Sequence, residues 1–173
     1  MPEFKAPLRD IQFVMNELLE AEKLYQTLPG YEEARVTLTW PQLGVRLSRR
    51  IEGLYRLRDE DLSSSRQFAD GIARLGVYFP DWGPNYKIKG LRYDVPYRCL
   101  VPKEVEQLLI AGRCISSEQQ PYESHRAMIP IMAIGEAAGT AAALAAREGV
   151  QPRELNVALL QQTLIAQGAE LRK

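Results

Sequence analysis

The stretch LLIAGRCIS, residues 108–116, combines residue types that suit a ligand site. Its aliphatic run is typical of a parallel strand buried on both faces, and open α/β sheets bind ligands beyond the carboxyl ends of such strands. Gly112 would let a ligand approach the backbone, and Arg113 and Ser116 would supply hydrogen-bond donors. The stretch therefore predicts a ligand site at the end of a strand over 107–112.

A helix rich in alanine and glycine is predicted next, over about 126–148. Gly135, Ala138 and Gly139 keep parts of this helix free of bulk, and bare backbone at a helix start suits a phosphate or an electron-rich ring oxygen. Close helix packing through Gly135 and Gly139, which are four residues apart, is the structural alternative. The sequence leaves both interpretations open.

An arginine falls on the apolar side of a predicted strand in the stretch GVRLSRRIEGLYRL, residues 44–57. Strand alternation places Arg49 beside apolar residues such as Ile51. A buried guanidinium requires a partner, because burying an unpaired charge costs several kcal/mol. Three interpretations stay open: an ion pair with Glu52 or Asp61, contact with an anion or substrate, or a bulge that returns Arg49 to water.

The elements that position these residues alternate between helices and strands. Hydrophobic periodicity predicts helices over 8–28, over 126–148 and from Gln151-Pro152 onward. It also predicts a short helix from Phe68 to Leu75, after a capping box of Ser64 and Gln67. Alternation and turn residues predict strands over 34–40, 45–57, 91–101 and 107–112, with a loop over 76–90. This mixture predicts an α+β or α/β fold.

Composition narrows the class of protein. The 173 residues carry 22 basic and 22 acidic side chains, so the global charge does not indicate nucleic acid or an anionic membrane as a partner. Cys99 and Cys114 form neither a CxxC pair nor a metal-ligand spacing, which predicts two reduced, mostly buried thiols and no metal site. The N-terminus lacks signal-peptide order, so we expect a cytoplasmic protein. Pro130 and Glu136 disfavour a membrane span over 129–146.

Two further stretches carry a family resemblance. YDVPYRCLVPKEVEQLLIAGRCIS and SHRAMIPIMAIGEAAGTAAALA resemble the C-terminal part of FAD-dependent oxidoreductases related to fumarate reductase-type flavoproteins. PQLGVRLSRRIEG and FADGIARLG are similar to substrate-domain segments of that family, in the same order.

The resemblance implies roles for individual residues. Gly112, Arg113 and Ser116 would lie near the isoalloxazine and ribityl region of FAD, and Arg126 and Met128 match the Arg-x-Met of the family. Gly135, Ala137, Ala138 and Gly139 match the closing element of the family. The backbone N–H groups of that element would point at the flavin pyrimidine oxygen. The arginine-rich strand of the family is matched by Arg46, Arg49 and Arg50, which favours an anionic substrate.

Departures from the family pattern reduce the number of candidate acid–base residues. Gln119-Gln120 stands where members often carry a histidine–glutamate pair, and His125 replaces the usual aliphatic residue before Arg126. His125 is either a proton donor beside the flavin or a surface or helix-capping histidine. Arg49, His125 and Arg126 make up the candidate catalytic set.

The glycines of the sequence form no GxGxxG unit, the motif that holds the ADP half of FAD. We therefore expect residues 1–106 to be a partial substrate or cap domain and 107–173 to be the C-terminal segment of an FAD-binding domain. The expected function is the isoalloxazine-contacting portion of an FAD-dependent oxidoreductase, inactive without an N-terminal half and acting on a small, possibly anionic substrate. The alternative is a non-catalytic remnant or interaction module that self-associates or pairs with another chain.

Overall fold

The structure, a computed structural model, describes residues 8–39, 49–76 and 92–171. By its internal contacts the chain forms two compact units, Met1–Arg46 and Leu47–Lys173. Both sides of the predicted domain boundary at 106–107 lie in the second unit. The division into a substrate part and a flavin-binding part stays a prediction.

The first unit contains helix α1, Leu8–Gln26, which confirms the predicted helix except for its last two residues. The strand predicted over 34–40 is wrong for residues 34–39, and Trp40 lies outside the described residues. Side chains of α1 bind this backbone instead: Glu22 Oε2 accepts from the N–H of Val36 at 2.7 Å, and Gln26 Nε2 donates to the carbonyl of Ala34 at 2.8 Å.

The second unit holds four helices, two strands and three short 3₁₀ turns among its described residues. The helices are α2 (Asp59–Ser63), α3 (Gln119–His125), α4 (Met128–Glu148) and α5 (Val157–Ala166). The strands are β1 (Gly71–Gly76) and β2 (Arg92–Pro96), and the 3₁₀ turns are Tyr97–Cys99, Gly112–Cys114 and Pro152–Glu154. The described part of the chain is therefore mixed helix and small sheet, compatible with the predicted α+β class.

The core of the second unit forms where helices α4 and α5 pack on the two-stranded sheet. β1 and β2 are antiparallel, with Ala73 opposite Val95 and Leu75 opposite Tyr93. Fully buried side chains from all layers meet here, including Tyr93, Val95, Ile134, Leu160 and Leu164. Burial of this apolar surface is the main driving force for the fold.

The helix predicted over Phe68 to Leu75 is wrong, because Gly71–Gly76 is strand β1. Phe68, Ile72 and Leu75 fit a helical spacing, but pairing with β2 buries Ile72, Ala73 and Leu75 and overrides that local preference. The predicted capping box at Ser64 and Gln67 is likewise wrong: the short helix here is α2, which ends at Ser63.

The strand predicted over 107–112 does not form. Leu108 is 41% exposed, and the carbonyl of Leu100 accepts the N–H of Ile110 in an isolated contact. A strand needs at least one neighbouring strand for its backbone to pair with, and no described strand lies beside this segment. The expectation of a doubly buried strand is therefore wrong for this chain.

The remaining predicted elements are partly confirmed. The strand predicted over 91–101 is β2 followed by the turn Tyr97–Cys99, and residues 77–91 of the predicted loop and strand lie outside the described residues. The long small-residue helix is confirmed as α4, which ends at Glu148 and is followed by Gly149 with φ +66°. The last helix starts later than predicted, at Val157, where the side chain of Asn156 caps it.

Candidate functional site

An extended segment, residues 51–57, positions the residues of the site because its backbone forms hydrogen bonds with two other segments. The N–H of Ile51 donates to the carbonyl of Cys114 at 2.9 Å, and the N–H of Leu57 donates to the carbonyl of Ser116 at 3.1 Å. On its other side, the N–H of Leu54 donates to the carbonyl of Val101 at 2.9 Å. The strand predicted over 45–57 is thus replaced, over its described residues, by an irregular segment with two isolated bridges. Residues 45–48 lie outside the described residues.

Arg50, rather than Arg49, is the arginine that turns inward from this segment. The guanidinium carbon of Arg50 lies 5.6 Å from the ring centroid of Tyr122, and its buried Nη1 makes no hydrogen bond to any described residue. Arg49 is exposed, which corrects the prediction that alternation buries it. The irregular backbone breaks the alternation, as the third interpretation of Arg49 anticipated.

The ion-pair partners considered for Arg49 are engaged elsewhere. Glu52 Oε1 lies 3.2 Å from Nζ of Lys103, and Asp61 Oδ1 lies 2.9 Å from Nη1 of Arg66. The predicted pairing of Arg49 with either carboxylate is therefore wrong. Asp61 is 1% exposed and lies within α2. It accepts hydrogen bonds from Tyr55 Oη and from the N–H of Arg58, each at 2.8 Å.

Three arginines from separate segments act by their charge on Tyr122 of α3, and Arg50 lies over its ring. Burial raises the pKa of Tyr122 and the charge of Glu123 adds to this, whereas the charges of Arg126, Arg113 and Arg50 lower it. Arg50 and Arg113 each come directly before a residue of one backbone hydrogen bond, in which the N–H of Ile51 donates to the carbonyl of Cys114. We call Arg50, Arg113, Arg126 and Tyr122 the arginine–tyrosine group.

Sequence reasoning missed Tyr122 as a member of this group, and it named Arg50 only as a match to the arginine-rich strand of the family. For Tyr122 a signal was present, since Tyr122 and Arg126 are four residues apart and therefore neighbours on one helical face. For Arg50 the alternation pattern pointed to the opposite side of the segment. Arg126 is half-buried, and its Nε pairs with Oε2 of Glu123.

His125 is fully buried rather than at the surface or at a solvent-facing cap. Its Nε2 lies 3.1 Å from Oγ of Ser117, and its ring meets Tyr122 edge-on with 5.9 Å between centroids. Burial, and secondarily the charge of Arg50, lower the pKa of His125 to about 4. The surface or capping interpretation is wrong, and a buried neutral imidazole is poorly placed to exchange protons with a ligand.

Ser116 and Met128 occupy opposite environments. Ser116 is 1% exposed, and its Cβ would lie 2.8 Å from a Cβ added at Gly53, so it is enclosed by the extended segment. A donor role for Ser116 toward a surface ligand therefore has no support in this structure. Met128, the first residue of α4, is 82% exposed.

One face of α4 is open along its first half. Met128, Met132, Gly135 and Gly139 recur at helical spacing and are all exposed. A Cβ added at Gly135 or Gly139 would meet no described atom within 4 Å, so packing through these glycines is not why they lack side chains. We call these four residues the open face of α4.

Two of the three residues between Gly135 and Gly139 face the other way. Ala137 and Ala138 are buried in the core of the second unit. The N–H groups of residues 135–139 lie inside the helix, where each donates to the carbonyl four residues earlier. The expectation that these N–H groups are free to bind a flavin oxygen is therefore wrong for this conformation, and side chains of Ala137 and Ala138 cannot reach a ligand.

Gly112 extends the open region. The 3₁₀ turn Gly112–Cys114 packs against α4. Gly112 has φ +89°, and a Cβ there would also meet no described atom within 4 Å. This left-handed backbone favours glycine. Arg113, the next residue, is exposed. The position thus combines bare backbone with a guanidinium, although the strand expected before it is absent.

Among the described residues, the two cysteines and the acidic residues form no metal site, and Cys99 is not a reactive thiol. Cys99 is buried and Cys114 is exposed, and both are free thiols. Burial raises the pKa of Cys99 far above its ordinary value, so its thiol is protonated and inert. No group of three or more His, Cys, Asp and Glu side chains within 8–39, 49–76 and 92–171 has the geometry to hold a metal ion.

α4 is, by length and composition, apolar enough to cross a membrane. Within the second unit, one of its sides is buried through Ile134, Ala137, Ala141 and Leu144. A core helix of a soluble protein passes the same test, so this feature is weak evidence for a membrane span.

The chain belongs to the FAD-dependent oxidoreductase family, whose family model matches residues 9–164. This match confirms the predicted membership of the FAD-dependent oxidoreductase family, and members of this family bind FAD. Comparison with curated proteins and with solved structures gives no match.

Proposed function

We propose that the second unit contacts the isoalloxazine end of FAD through Gly112 and the open face of α4. One observation carries this proposal: an added Cβ would meet no described atom within 4 Å at Gly112, Gly135 or Gly139, which lie on two elements that pack against each other. A flat ring system needs such a surface, because a side chain at any of these positions would hold it away from the backbone. Family membership supplies the identity of the ring.

The residues of the open face fit this role in a way that differs from the sequence expectation. Gly135 and Gly139 contribute space rather than hydrogen-bond donors, since their N–H groups are bonded within α4. Met128 and Met132 offer polarizable thioethers, which make favourable contacts with aromatic rings. When bound, the flavin supplies the redox chemistry of the family, and these residues would hold and shield its ring.

The arginine–tyrosine group supports an anionic substrate. The buried Nη1 of Arg50 has no hydrogen-bond partner among the described residues, and leaving such a donor unpaired is unfavourable. A substrate carboxylate would satisfy Arg50, and Arg113 and Arg126 add positive charge from neighbouring segments. Arg126 is a candidate catalytic residue in this arrangement, while His125 would act as a positioning residue behind Tyr122.

The GxGxxG motif that holds the ADP half of FAD does not occur in this sequence. We propose that a dinucleotide-binding half completes the site, either from an N-terminal portion or from a second chain. The 173-residue chain alone is then expected to purify without flavin, and the complete protein to be yellow.

A variant pair tests the flavin proposal. Gly139→Leu in the protein completed by its dinucleotide-binding half should abolish FAD binding, measured by flavin absorbance and by quenching of flavin fluorescence. Gly76→Leu is a matched control, because Gly76 is also exposed with no described atom within 4 Å of an added Cβ but lies at the end of β1. Stoichiometric FAD in the Gly139→Leu protein would overturn the proposal.

The exposed start of α4 also favours a second candidate, a non-catalytic interaction module. Met128, Ile129 and Met132 are 82%, 81% and 72% exposed. Apolar residues grouped in this way often mark a protein interface. Measuring the mass of the protein in solution, with and without FAD, distinguishes the two functions. An interaction module would form a complex that Met132→Ser weakens and FAD leaves unchanged, whereas a flavin face would be occupied by FAD.

A further inference from the structure

One tyrosine ring joins the inward arginine to the buried histidine. The guanidinium carbon of Arg50 lies 5.6 Å from the ring centroid of Tyr122, and the ring of His125 meets the same tyrosine edge-on at 5.9 Å between centroids. Arg50 directly precedes the extended segment, whereas His125 is the last residue of α3. A charge bound at Arg50 is therefore separated from the imidazole by a single aromatic side chain.

His125 lies where a positive charge is unfavourable. Its side chain is fully buried, and its Nε2 is 3.1 Å from the uncharged Oγ of Ser117. Removal from water disfavours a charged imidazole, and so does a neighbouring cation. Burial first, and then the charge of Arg50, lower the pKa of His125 to about 4. The guanidinium of Arg50 thus opposes the protonation of His125.

The other charged groups near α3 have partners of their own. Helix α2 packs against α3, and burial raises the pKa of Tyr122, so its hydroxyl is neutral. Each carboxylate of these elements and of the residue before α3 is bound to a donor: Glu123 to Arg126, Asp61 to Arg66, Asp59 to the N–H of Gln120, and Glu118 to the N–H of Asp59. In the described part of the chain, Arg50 is the charged side chain that acts on His125.

An anion beside Arg50 would remove this opposition. The Nη1 of Arg50 is buried and makes no hydrogen bond to any described residue. A carboxylate or sulfonate bound there would offset the positive charge of Arg50 at His125, so the protonated imidazole would become less unfavourable. Protonation of His125 would in turn strengthen the binding of the anion, because coupling between two binding events is reciprocal.

We propose that the binding of an anion at Arg50 is coupled to the uptake of a proton by His125, so that each event strengthens the other. The site then binds its anion more tightly at acidic pH. This coupling rests on the anion site of the proposed function. It does not involve Gly112 or the open face of α4, which carry the flavin proposal.

The single histidine of the chain makes the coupling directly measurable, because one imidazole proton resonance follows the whole titration. Methanesulfonate is a suitable probe, since it stays a monoanion between about pH 3.5 and pH 7.5. Saturating methanesulfonate should raise the pKa of His125 by roughly 0.5–1 pH unit relative to sodium chloride of the same ionic strength. The methanesulfonate Kd should fall by about three- to tenfold once His125 is protonated. Unfolded chain gives a separate resonance that titrates near the ordinary histidine value, so folded and unfolded protein are distinguished.

Two adjacent arginines provide a matched pair of variants. Arg50→Gln and Arg49→Gln each remove one positive charge, but Arg49 is exposed. Arg50→Gln should raise the pKa of His125 without any anion and abolish the response to methanesulfonate. Arg49→Gln should leave both as in the unmodified chain. Arg50→Lys keeps the positive charge and should keep the pKa of His125 low.

Backbone amide resonances at about pH 7.5, where His125 is neutral, report whether methanesulfonate binds. Saturable shifts that Arg50→Gln abolishes, together with an unmoved His125 titration, would overturn the coupling and leave the anion site standing. Absence of saturable shifts in the unmodified chain would overturn both. A rise in the His125 pKa that persists in Arg50→Gln would also overturn the coupling. Flavin occupancy is measured separately with Gly139→Leu, so the flavin proposal can fail while this one holds.

Discussion

The imidazole Nε2 of His125 and the hydroxyl Oγ of Ser117 lie 3.1 Å apart in a fully buried contact. This contact joins the end of α3 to the segment that pairs with Leu57. Because burial lowers the pKa of His125 to about 4, the native state holds the imidazole neutral. Folding is therefore linked to the protonation of one side chain.

We expect the free energy of unfolding to fall as the pH drops from about 6.5 to about 4. The unfolded chain binds a proton at His125 near pH 6.5, and the folded chain binds it only near pH 4. The stabilisation is therefore complete above pH 6.5 and is lost progressively as the pH falls toward 4. A pKa difference of about 2.5 corresponds to about 3 kcal/mol. Urea unfolding of the wild type and of His125→Leu across this range measures it, and equal slopes for the two proteins would contradict the expectation.

Gly53→Ala is expected to destabilise the second unit by about 1–3 kcal/mol. The added methyl would lie 2.8 Å from Cβ of Ser116 and 3.0 Å from the carbonyl oxygen of Arg98, so one of these must move. Combining Gly53→Ala with Ser116→Gly removes the nearer contact and should recover part of the loss. Thermal or urea unfolding of both variants provides the test, and a neutral Gly53→Ala would show that the extended segment shifts freely.

Gly139→Ala is expected to stabilise the second unit, which is the opposite of the effect expected for Gly53→Ala. Space is open around Gly139. Alanine is favoured over glycine in a helix interior by up to about 1 kcal/mol. The chain without flavin should therefore unfold at a higher urea concentration after this change. A lower midpoint would mean that an interior contact uses this glycine.

Asp61→Asn is expected to cost roughly 2 kcal/mol, the scale of the penalty for weakening the hydrogen bonds of a buried charged group. Asp61 is buried, and its carboxylate accepts hydrogen bonds from Tyr55 and from the N–H of Arg58. Burial, then the hydrogen bond to Asp61, raise the pKa of Tyr55 to about 12. The variant should lower that pKa toward its ordinary value, measured from tyrosinate absorbance. Glu60→Gln, an exposed change on the same helix, is the matched control and should leave both quantities unaltered.

The long helices were predictable from sequence because their signals are local. The apolar periodicity of α1 and the alanine-rich run closed by Gly149 define helices within their own residues. The family and the small-residue positions of α4 were recognised for the same reason. The open space around Gly139 distinguishes a surface glycine from a packing glycine, and no sequence pattern provides that information.

The errors concern elements whose structure depends on distant residues. Gly71–Gly76 became a strand through pairing with β2, and the aliphatic run before Gly112 stayed irregular because no described strand lies beside it. Arg50 replaced Arg49 as the inward arginine because hydrogen bonds to Cys114 and Ser116 fix the backbone of the extended segment. Such choices depend on tertiary contacts, which override local preference.

The pairing of Leu57 with Ser117 has a consequence for the order of folding. These residues are far apart along the chain, and bringing them together closes a long loop whose entropy is lost before any contact is gained. Helices α4 and α5 and the turn between them involve only neighbouring residues and can form early. We therefore expect the extended segment to dock late, so that changes at Gly53 chiefly accelerate unfolding and leave the refolding rate nearly constant.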